Sequence, residues 1–447
     1  MRVMAKFIRF LMMYLSYLWI LSSPAIAPAA AAEAPAQSAA GVLTWEDCVR
    51  EAAKNHPDLI SAQEFVKSSQ ADKAIAASGL FPQVSTDFNV SRSGSPSGSS
   101  GGASSNKGGT TDNYNYGVNG SQLIFDGFQT VNKVSAAGEN IKAARESYKF
   151  TSSQVRLRLR SAFIDLLKAQ EAQRIREEIF QRRRQNFELV TLRYESGMEN
   201  KGSLLTERAN VRQAQFDVTQ AGRDIELAER RLTKEMGRSE LVPMRATGDF
   251  AVSDAVREKP DFAAIAVNNP SLQQLVAQKN AAVFNVKSAK SEFLPSITAS
   301  GNAGRTDSNW PPEGDQWSIG AAVSFPIFEG GKRIADVSKA NALLTKAEAD
   351  ERSAKDGIIE TLQSMWTSLQ DDLDNVDVKR QFLVANEERA KIAEAQYSIG
   401  FVSFNDWIII EDNLVNSKNS YLDAQAQALT SEANWIQAKG ETLENIE

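Results

Sequence analysis

The side chains that most often carry chemistry are scarce in this chain and poorly placed to cooperate. Its 447 residues include one histidine, His56, and one cysteine, Cys48. A lone His56, set before Pro57 in a helix-breaking segment, cannot build a histidine metal cluster or a nucleophile–base dyad. It reads as a local structural residue. Cys48 has no partner for an internal disulfide. In Trp45-Glu46-Asp47-Cys48-Val49, at the start of an apolar helical pattern, it reads as a small core side chain. Asp371, Asp372, Asp374 and Asp377 crowd four carboxylates into one stretch of a helical pattern. Paired carboxylates can do acid–base work, but such a run is usually a solvated helix face; a pore-lining acidic stripe is the other reading. There is no phosphate-cradling glycine loop of Walker type. No catalytic, cofactor-binding or metal site is expected, the chain is not expected to be an enzyme, and energy for any transport must come from a partner.

Residues 1–32 read as a secretory signal. Arg2, Lys6 and Arg9 form a basic start, residues 10–21 an apolar run too short for the usual membrane span, and Ala30-Ala31-Ala32 a small-residue cleavage site. Without those three cations the formal charge moves from −6 to −9. An acidic chain with mixed-sign helices does not point to nucleic acid. No later stretch approaches the length of an apolar transmembrane helix, which leaves two fates for an exported chain: soluble, or a β-barrel.

The elements come in two copies. Leu80-Phe81-Pro82 recurs as Phe293-Leu294-Pro295, Ile124-Phe125-Asp126-Gly127 as Ile327-Phe328-Glu329-Gly330, and Tyr194-Glu195-Ser196-Gly197 as Tyr397-Ser398-Ile399-Gly400. The copies lie 213 positions apart before one Gly/Ser-rich loop and 203 apart after it. Proline marks the boundaries. All thirteen prolines lie within 24–96, 243–312 and at 326. Since proline inside a helix costs about 3 kcal/mol, the proline-free windows are where long helices can run. Val155, Leu159, Ala162, Phe163, Leu166, Ala169 and Ala172 step by three and four, a narrow coiled-coil stripe.

The organisation expected is a first repeat over 33–237 and a second over 268–447, with a linker at 238–267. The first holds a helix, a β-hairpin over 82–125, a long helix over 128–196 and a return helix over 204–236. The second holds a helix, a hairpin over 295–326, a long helix over 332–399, a return helix over 404–439 and a tail. Each long helix would reach roughly 100 Å at about 1.5 Å per residue. The hairpin strands alternate: Val84, Thr86, Phe88 and Val90 against Ser85, Asp87, Asn89 and Ser91, and likewise Trp317, Ile319, Ala321, Val323 and Phe325 against Ser318, Gly320, Ala322 and Ser324. Segments of about ten residues suit tilted strands crossing a bilayer. The polar loops between them are read as 93–112 and 306–316. Four strands cannot close a barrel, and open edges are not tolerated in lipid, so strands in a membrane would require several chains.

Taken together, these motifs resemble the TolC family of outer-membrane efflux and secretion proteins, over essentially all of the mature sequence. Thr44-Trp45-Glu46-Asp47-Cys48-Val49 through Asn55-His56-Pro57-Asp58-Leu59 matches the family's opening, with Asn268-Asn269-Pro270-Ser271-Leu272 as its second copy. The strand-to-helix junctions at Ile124 and Pro326 and the turn Arg193-Tyr194-Glu195-Ser196-Gly197 match as well. The resemblance implies an α+β membrane protein with an internal two-fold repeat. Three copies would share a twelve-stranded β-barrel in the outer membrane, and their antiparallel coiled-coil helices would form a periplasmic α-barrel. Residues 238–267 would form an irregular equatorial belt with the tail. It further implies an exit duct of a tripartite efflux or type I secretion system, with a periplasmic adaptor (membrane fusion protein) and an inner-membrane ABC or RND-type transporter as partners. The reading from another class is a periplasmic coiled-coil adaptor or structural envelope protein without a channel.

The resemblance also assigns the tips. Arg193, Tyr194, Gly197 and Gly400 would form the periplasmic tip where an adaptor docks. In the family a Tyr and an Arg after the second tip link to a carboxylate after the first, beside acidic pore rings. Carried over without gaps, Tyr397 keeps the tyrosine and Asp406 one acidic position. The arginine position is Val402, the carboxylate position Ser203, and the other acidic position Ile409. The charged lock is therefore mostly replaced, with Glu199, Lys201 and Arg193 as candidate substitutes.

Overall fold

The computed structural model describes residues 42–94, 110–250 and 258–444. The expected signal at 1–32 lies outside the described residues. The described chain runs β1 (Val42–Leu43), α1 (Trp45–Asn55), α2 (Pro57–Ser78), β2 (Gln83–Gly94), β3 (Thr110–Phe125), α3 (Gln129–Glu195), α4 (Lys201–Glu235), β4 (Arg245–Ala246), α5 (Phe262–Val267), α6 (Pro270–Ser291), β5 (Ser296–Asp307), β6 (Gly314–Ser324), α7 (Lys332–Ser398) and α8 (Phe404–Lys439). The helices α3 and α7 are each 67 residues long, about 100 Å at 1.5 Å per residue. They pack antiparallel against their return helices α4 and α8. Among the described residues no helix is long and apolar enough to cross a membrane.

The chain turns at the same places twice. Every described residue with a left-handed backbone belongs to a pair 203 positions apart: Gly127 and Gly330, Phe128 and Gly331, Gly197 and Gly400, Gly237 and Gly440. Gly237 and Gly440 end the return helices, and both lie against the cap of a short helix. A Cβ on Gly237 would sit 2.5 Å from the Asn55 carbonyl, and one on Gly440 would collide with the Pro270 ring. The facing caps are equally alike. His56 Nδ1 accepts from the Asp58 amide at 3.2 Å, and Asn269 Oδ1 accepts from the Ser271 amide at 2.9 Å. Each is followed by proline at the first helical position, where its missing N–H is no loss.

The four long strands form one antiparallel sheet in the order β2-β3-β5-β6. Directly paired residues share a face, so the register sorts the side chains. Phe88 pairs with Tyr116, Thr86 with Val118, Val118 with Ala303, and Ala303 with Trp317 on one face. Ser85 pairs with Asn119, Asn119 with Asn302, and Asn302 with Ser318 on the other. Trp317, Ile319 and Val323 are 75%, 82% and 69% exposed, an apolar surface that none of the described residues covers. β2 and β6 are both edges.

Four features differ from the sequence reading. The first helix is two helices, because His56 leaves the helical region with ψ 124° and caps the next one. The strands run further into the loops than the polar composition suggests. The β2–β3 ladder reaches Gly94 opposite Thr110, carried past the expected end by the Arg92–Asp112 ion pair. The β5–β6 ladder likewise reaches Thr306 opposite Gly314. The expected irregular belt contains regular structure: β4 pairs in parallel with β1, and α5, capped by Asp261, buries Phe262 and Ala266 against Leu362, Leu369 and Trp435. Finally, the residues after α8 are anchored. Glu444 accepts from Tyr148 and Ser152, each at 2.9 Å, and Leu443 is buried in the main core with Cys48, Leu159 and Phe163.

Because Gly94 and Thr110 already face each other across the ladder, deletion of most of 95–109 should leave the sheet intact. The second hairpin turns with far fewer residues between its strands. The expected outcome is unchanged membrane yield and heat stability, read by fractionation and thermal melts; loss of either would mean that this loop packs on something.

Candidate functional site at the helical tips

Both helix pairs turn at one end of the molecule through the same device. In the first, the Met198 amide donates to the Arg193 carbonyl at 2.8 Å and Gly197 to Tyr194 at 3.0 Å. In the second, Phe401 donates to Gln396 at 2.9 Å and Gly400 to Tyr397 at 3.0 Å. These are Schellman motifs, which need a left-handed residue at the turn; Gly197 and Gly400 supply φ of 74° and 85°. Asn200 then caps α4, accepting from the Ser203 amide at 3.0 Å, and Ser403 caps α8, accepting from the Asp406 amide at 3.2 Å.

The two tips are tied together around Tyr397. Its ring stacks on Trp407 at 4.2 Å with planes 10° apart, and both side chains are buried. Its hydroxyl donates to Glu199 Oε2 at 2.9 Å across to the first tip. Arg193 closes the other side. Its guanidinium lies 4.7 Å from the centre of the Tyr397 ring, and its Nη1 donates to the carbonyls of Tyr397 at 3.0 Å and Ser398 at 3.2 Å. Burial and the adjacent Glu199 carboxylate push the Tyr397 hydroxyl well above the ordinary phenol range, so it stays a donor. Burial alone would raise Glu199. Hydrogen bonds from the Asn200 amide, Ser203 and Tyr397, with the charge of Arg193, outweigh it and hold the carboxyl below its usual value.

The sequence-predicted residues separate into two groups. Tyr397, Arg193, Glu199 and Ser203 come together, and Val402 is half-buried against the same cluster. Ser203 does not stand in for a carboxylate; it is buried and accepts from Asn200 Nδ2 at 3.1 Å. Asp406 is exposed, with its carboxylate accepting from Ser403 Oγ at 2.7 Å. Tyr194, Lys201, Gly197, Gly400 and Ile409 are also exposed.

A second layer, closer to the middle of the helices, has no counterpart in the sequence reading. Arg182 on α3 makes a two-pronged bond to Glu411 on α8, Nε to Oε2 at 2.6 Å and Nη2 to Oε1 at 2.7 Å. Its Nη2 also reaches Glu394 on α7 at 3.3 Å. Asn186 Nδ2 donates to Glu411 at 3.3 Å. Arg183 pairs with Asp412 and lies 3.9 Å from Glu207 on α4. Glu207 and Glu411 are 0% and 1% exposed. Burial raises the Glu207 carboxyl, against the hydrogen bond from Asn210 and the charge of Arg183. The signal was available as a pattern: Glu207 stands seven residues before Ala214, then Ala221 and Ala228, all buried, so it occupies a seam position of the coiled coil.

Residues 48–238 and 263–441 match a family described as outer membrane efflux protein. The chain is 24% identical over 400 residues to the outer membrane efflux protein BepC of Brucella suis biovar 1, covering 87% of this chain and 80% of that protein. It is 23% identical over 401 residues to the antibiotic efflux pump outer membrane protein ArpC of Pseudomonas putida, covering 86% and 80%. Among solved structures, a CusC crystal structure superposes with a TM-score of 0.77 at 19% identity, covering 88% of this chain and 91% of that one.

Two outcomes follow from the buried layer. Arg182→Ala strands the buried carboxylate of Glu411; because Arg182 itself is 32% exposed and Asn186 still donates to Glu411, the drop in unfolding free energy expected by denaturant titration is clear but below the roughly 3–5 kcal/mol of a fully buried pair. Glu207 behaves oppositely with pH. Its folded value is raised, so its contribution is fully present below the unfolded value and is lost as pH rises through the folded one. Glu207→Gln should therefore melt higher than the parent at about pH 8 and no higher at about pH 4; equal melting at both would show that Arg183 fully compensates the charge.

Proposed function

The chain belongs to the outer membrane efflux protein family, and we propose that it is the outer-membrane exit duct of a tripartite efflux or type I secretion system. In this reading each chain is an internal two-fold repeat, and three chains pool their strands into a twelve-stranded barrel. Their helices continue inward as a periplasmic tunnel. Small molecules or polypeptides pass without chemical change from a periplasmic adaptor and an inner-membrane ABC or RND-type transporter, which supply the energy.

The observation that carries this reading is the sheet. It has one apolar and one polar face and two unpaired edges. Lipid demands that every backbone N–H and C=O be paired within protein, so a four-stranded sheet of this kind is a fraction of a closed barrel. Strands of 11 to 16 residues exceed the roughly 9–11 that a tilted strand needs to span a bilayer. A periplasmic adaptor or structural protein without a channel has no use for such a sheet. The Tyr397 cluster would be the resting closure of the inner end, with Glu199 doing what the expected carboxylate at 203 cannot. The exposed turns at Gly197 and Gly400, with Arg193 and Tyr194 beside them, would receive the adaptor.

Purification in mild detergent tests the assembly: a trimer with β-structure is expected, and a monomer that keeps its β-signal would overturn it. Planar-bilayer recording tests the tip. Three copies of Asp406 around a narrow axis would attract cations, within a Debye length of about 8–10 Å at moderate ionic strength. Asp406→Asn is expected to lower cation preference, and Tyr397→Phe, which removes the bond to Glu199, to raise resting conductance. Val402→Ala breaks no ion pair and should open the channel only modestly. Unchanged selectivity in Asp406→Asn would place that carboxylate away from the pore.

A further inference from the structure

The polar face of the sheet carries a single charged side chain among the described residues, Asp87 on β2. The register makes this plain. Asp87 pairs with Gly117, which pairs with Gly304, which pairs with Gln316. The rows on either side consist of serine, asparagine, threonine and glycine. The sheet's arginines lie on the opposite face, where Arg92 is paired with Asp112 and Arg305 with Asp315. Among the described residues no cation therefore shares that face of the sheet with Asp87; its partner is the Asn119 amide, a neutral donor.

The surrounding wall is low. Gly117 lies directly opposite Asp87 and Gly304 one strand further on; a Cβ on Gly304 would come within 2.8 Å of the Gly117 Cα, and one on Gly117 within 3.2 Å of the Ala303 carbonyl, so the backbones pack closely there and no side chain rises beside the carboxylate. The carboxylate lines a concavity of about 170 Å³ together with Asn115, Asn119, Asn302 and Gln316, and with Arg305, whose guanidinium is paired with Asp315 in the row on the other face. A second concavity of about 340 Å³ adjoins it through Asn119 and Asn302.

We propose that Asp87 is a cation-selecting element of the exit barrel, separate from the tips: three copies, contributed by three chains, form a ring of carboxylates on an otherwise uncharged, hydrogen-bonding wall. The proposal rests on the trimeric-duct reading given above. A ring of acidic side chains with no countercharge raises the local concentration of cations and lowers that of anions. Neutral amides and hydroxyls around it offer hydrogen bonds but no charge of either sign. Such an exit favours small cations and cationic solutes over anions of the same size.

The test uses the full-length protein in planar bilayers under a potassium chloride gradient, reading the reversal potential. Asp87→Asn keeps the shape and removes the charge; the expected cation-to-anion permeability ratio falls roughly twofold. Asp87→Lys should carry the ratio toward anions, and Asp87→Glu should retain the parent value. Asp87→Cys makes the reading independent of folding, because the protein is assembled before it is modified and Cys48 is fully buried. A negatively charged methanethiosulfonate reagent should then restore cation preference, and a positively charged one should reverse it. Channels that form normally but show the parent reversal potential in all these variants would overturn the proposal and leave the duct standing. A parent protein that forms no trimer and no channel would remove the duct reading, and the proposal with it.

Discussion

The rest of this structure depends on the unpaired backbone of two strands. β2 and β6 each present a free edge, and in hydrocarbon every unpaired N–H or C=O costs several kcal/mol. Side-chain packing within one chain cannot remove that penalty, because the groups concerned are in the main chain. Pairing β6 of one copy with β2 of the next would remove it, and the strict alternation of the strands fixes what closure would do. The apolar row through Phe88, Tyr116 and Trp317 would turn outward, and the row through Asn119, Asn302 and Ser318 would line the inside. A one-residue slip in register would exchange the faces.

The parts of the fold legible in the sequence are those governed by long, uniform patterns. Proline-free windows with a three-and-four stripe have few alternatives to a long helix, and α3 with α4, and α7 with α8, fill most of theirs. The glycines at the turns recur at a fixed spacing because each meets a fixed steric demand, as where Gly237 abuts Asn55. Short elements made by tertiary contact carry no such pattern. The six residues of α5 are helical because Phe262 and Ala266 find Leu369 and Trp435 far along the chain, and isolated helices of that length do not form. The tail is ordered by Tyr148 and Ser152 reaching Glu444, partners nearly three hundred positions away.

At the tips, Tyr397 was legible through the family resemblance, which places a tyrosine at that position; the internal repeat alone would have made it only the counterpart of exposed Tyr194. Its partner was harder to read. A carboxylate at 203 and one at 199 differ by one helical turn, and only the three-dimensional path of the Met198–Lys201 turn decides which reaches the hydroxyl. The buried Arg182–Glu411 and Arg183–Glu207 pairs were missed for a different reason. Arginine and glutamate are ordinary solvated residues on a coiled coil, and they read as core only when their seam positions are counted. Trp407, buried and stacked on Tyr397, had the apolar signal but no partner visible in the sequence.

This end has an apolar cluster of Val190, Ala393, Tyr397, Phe404 and Trp407, and the polar contacts set beside it have a physical logic of their own. An apolar seam between α3/α4 and α7/α8 would be favoured in proportion to buried area, and separating it would expose that area to water all at once. A buried ion pair behaves differently. Its desolvation nearly cancels its attraction, so it adds little net stability over an apolar replacement, while the loss of one partner is severe. Contacts such as Arg182 with Glu411 therefore specify one alignment of the helices without holding it deeply. When the two pairs part, water resolvates both charges and recovers much of what burial had withdrawn. Arg193 adds the same kind of contact at the turn, where its bonds to the carbonyls of Tyr397 and Ser398 engage main-chain groups that water can satisfy as well. An end built this way is well defined in its alignment without being held by buried charge alone, a balance that would suit the proposed duct if a partner works it.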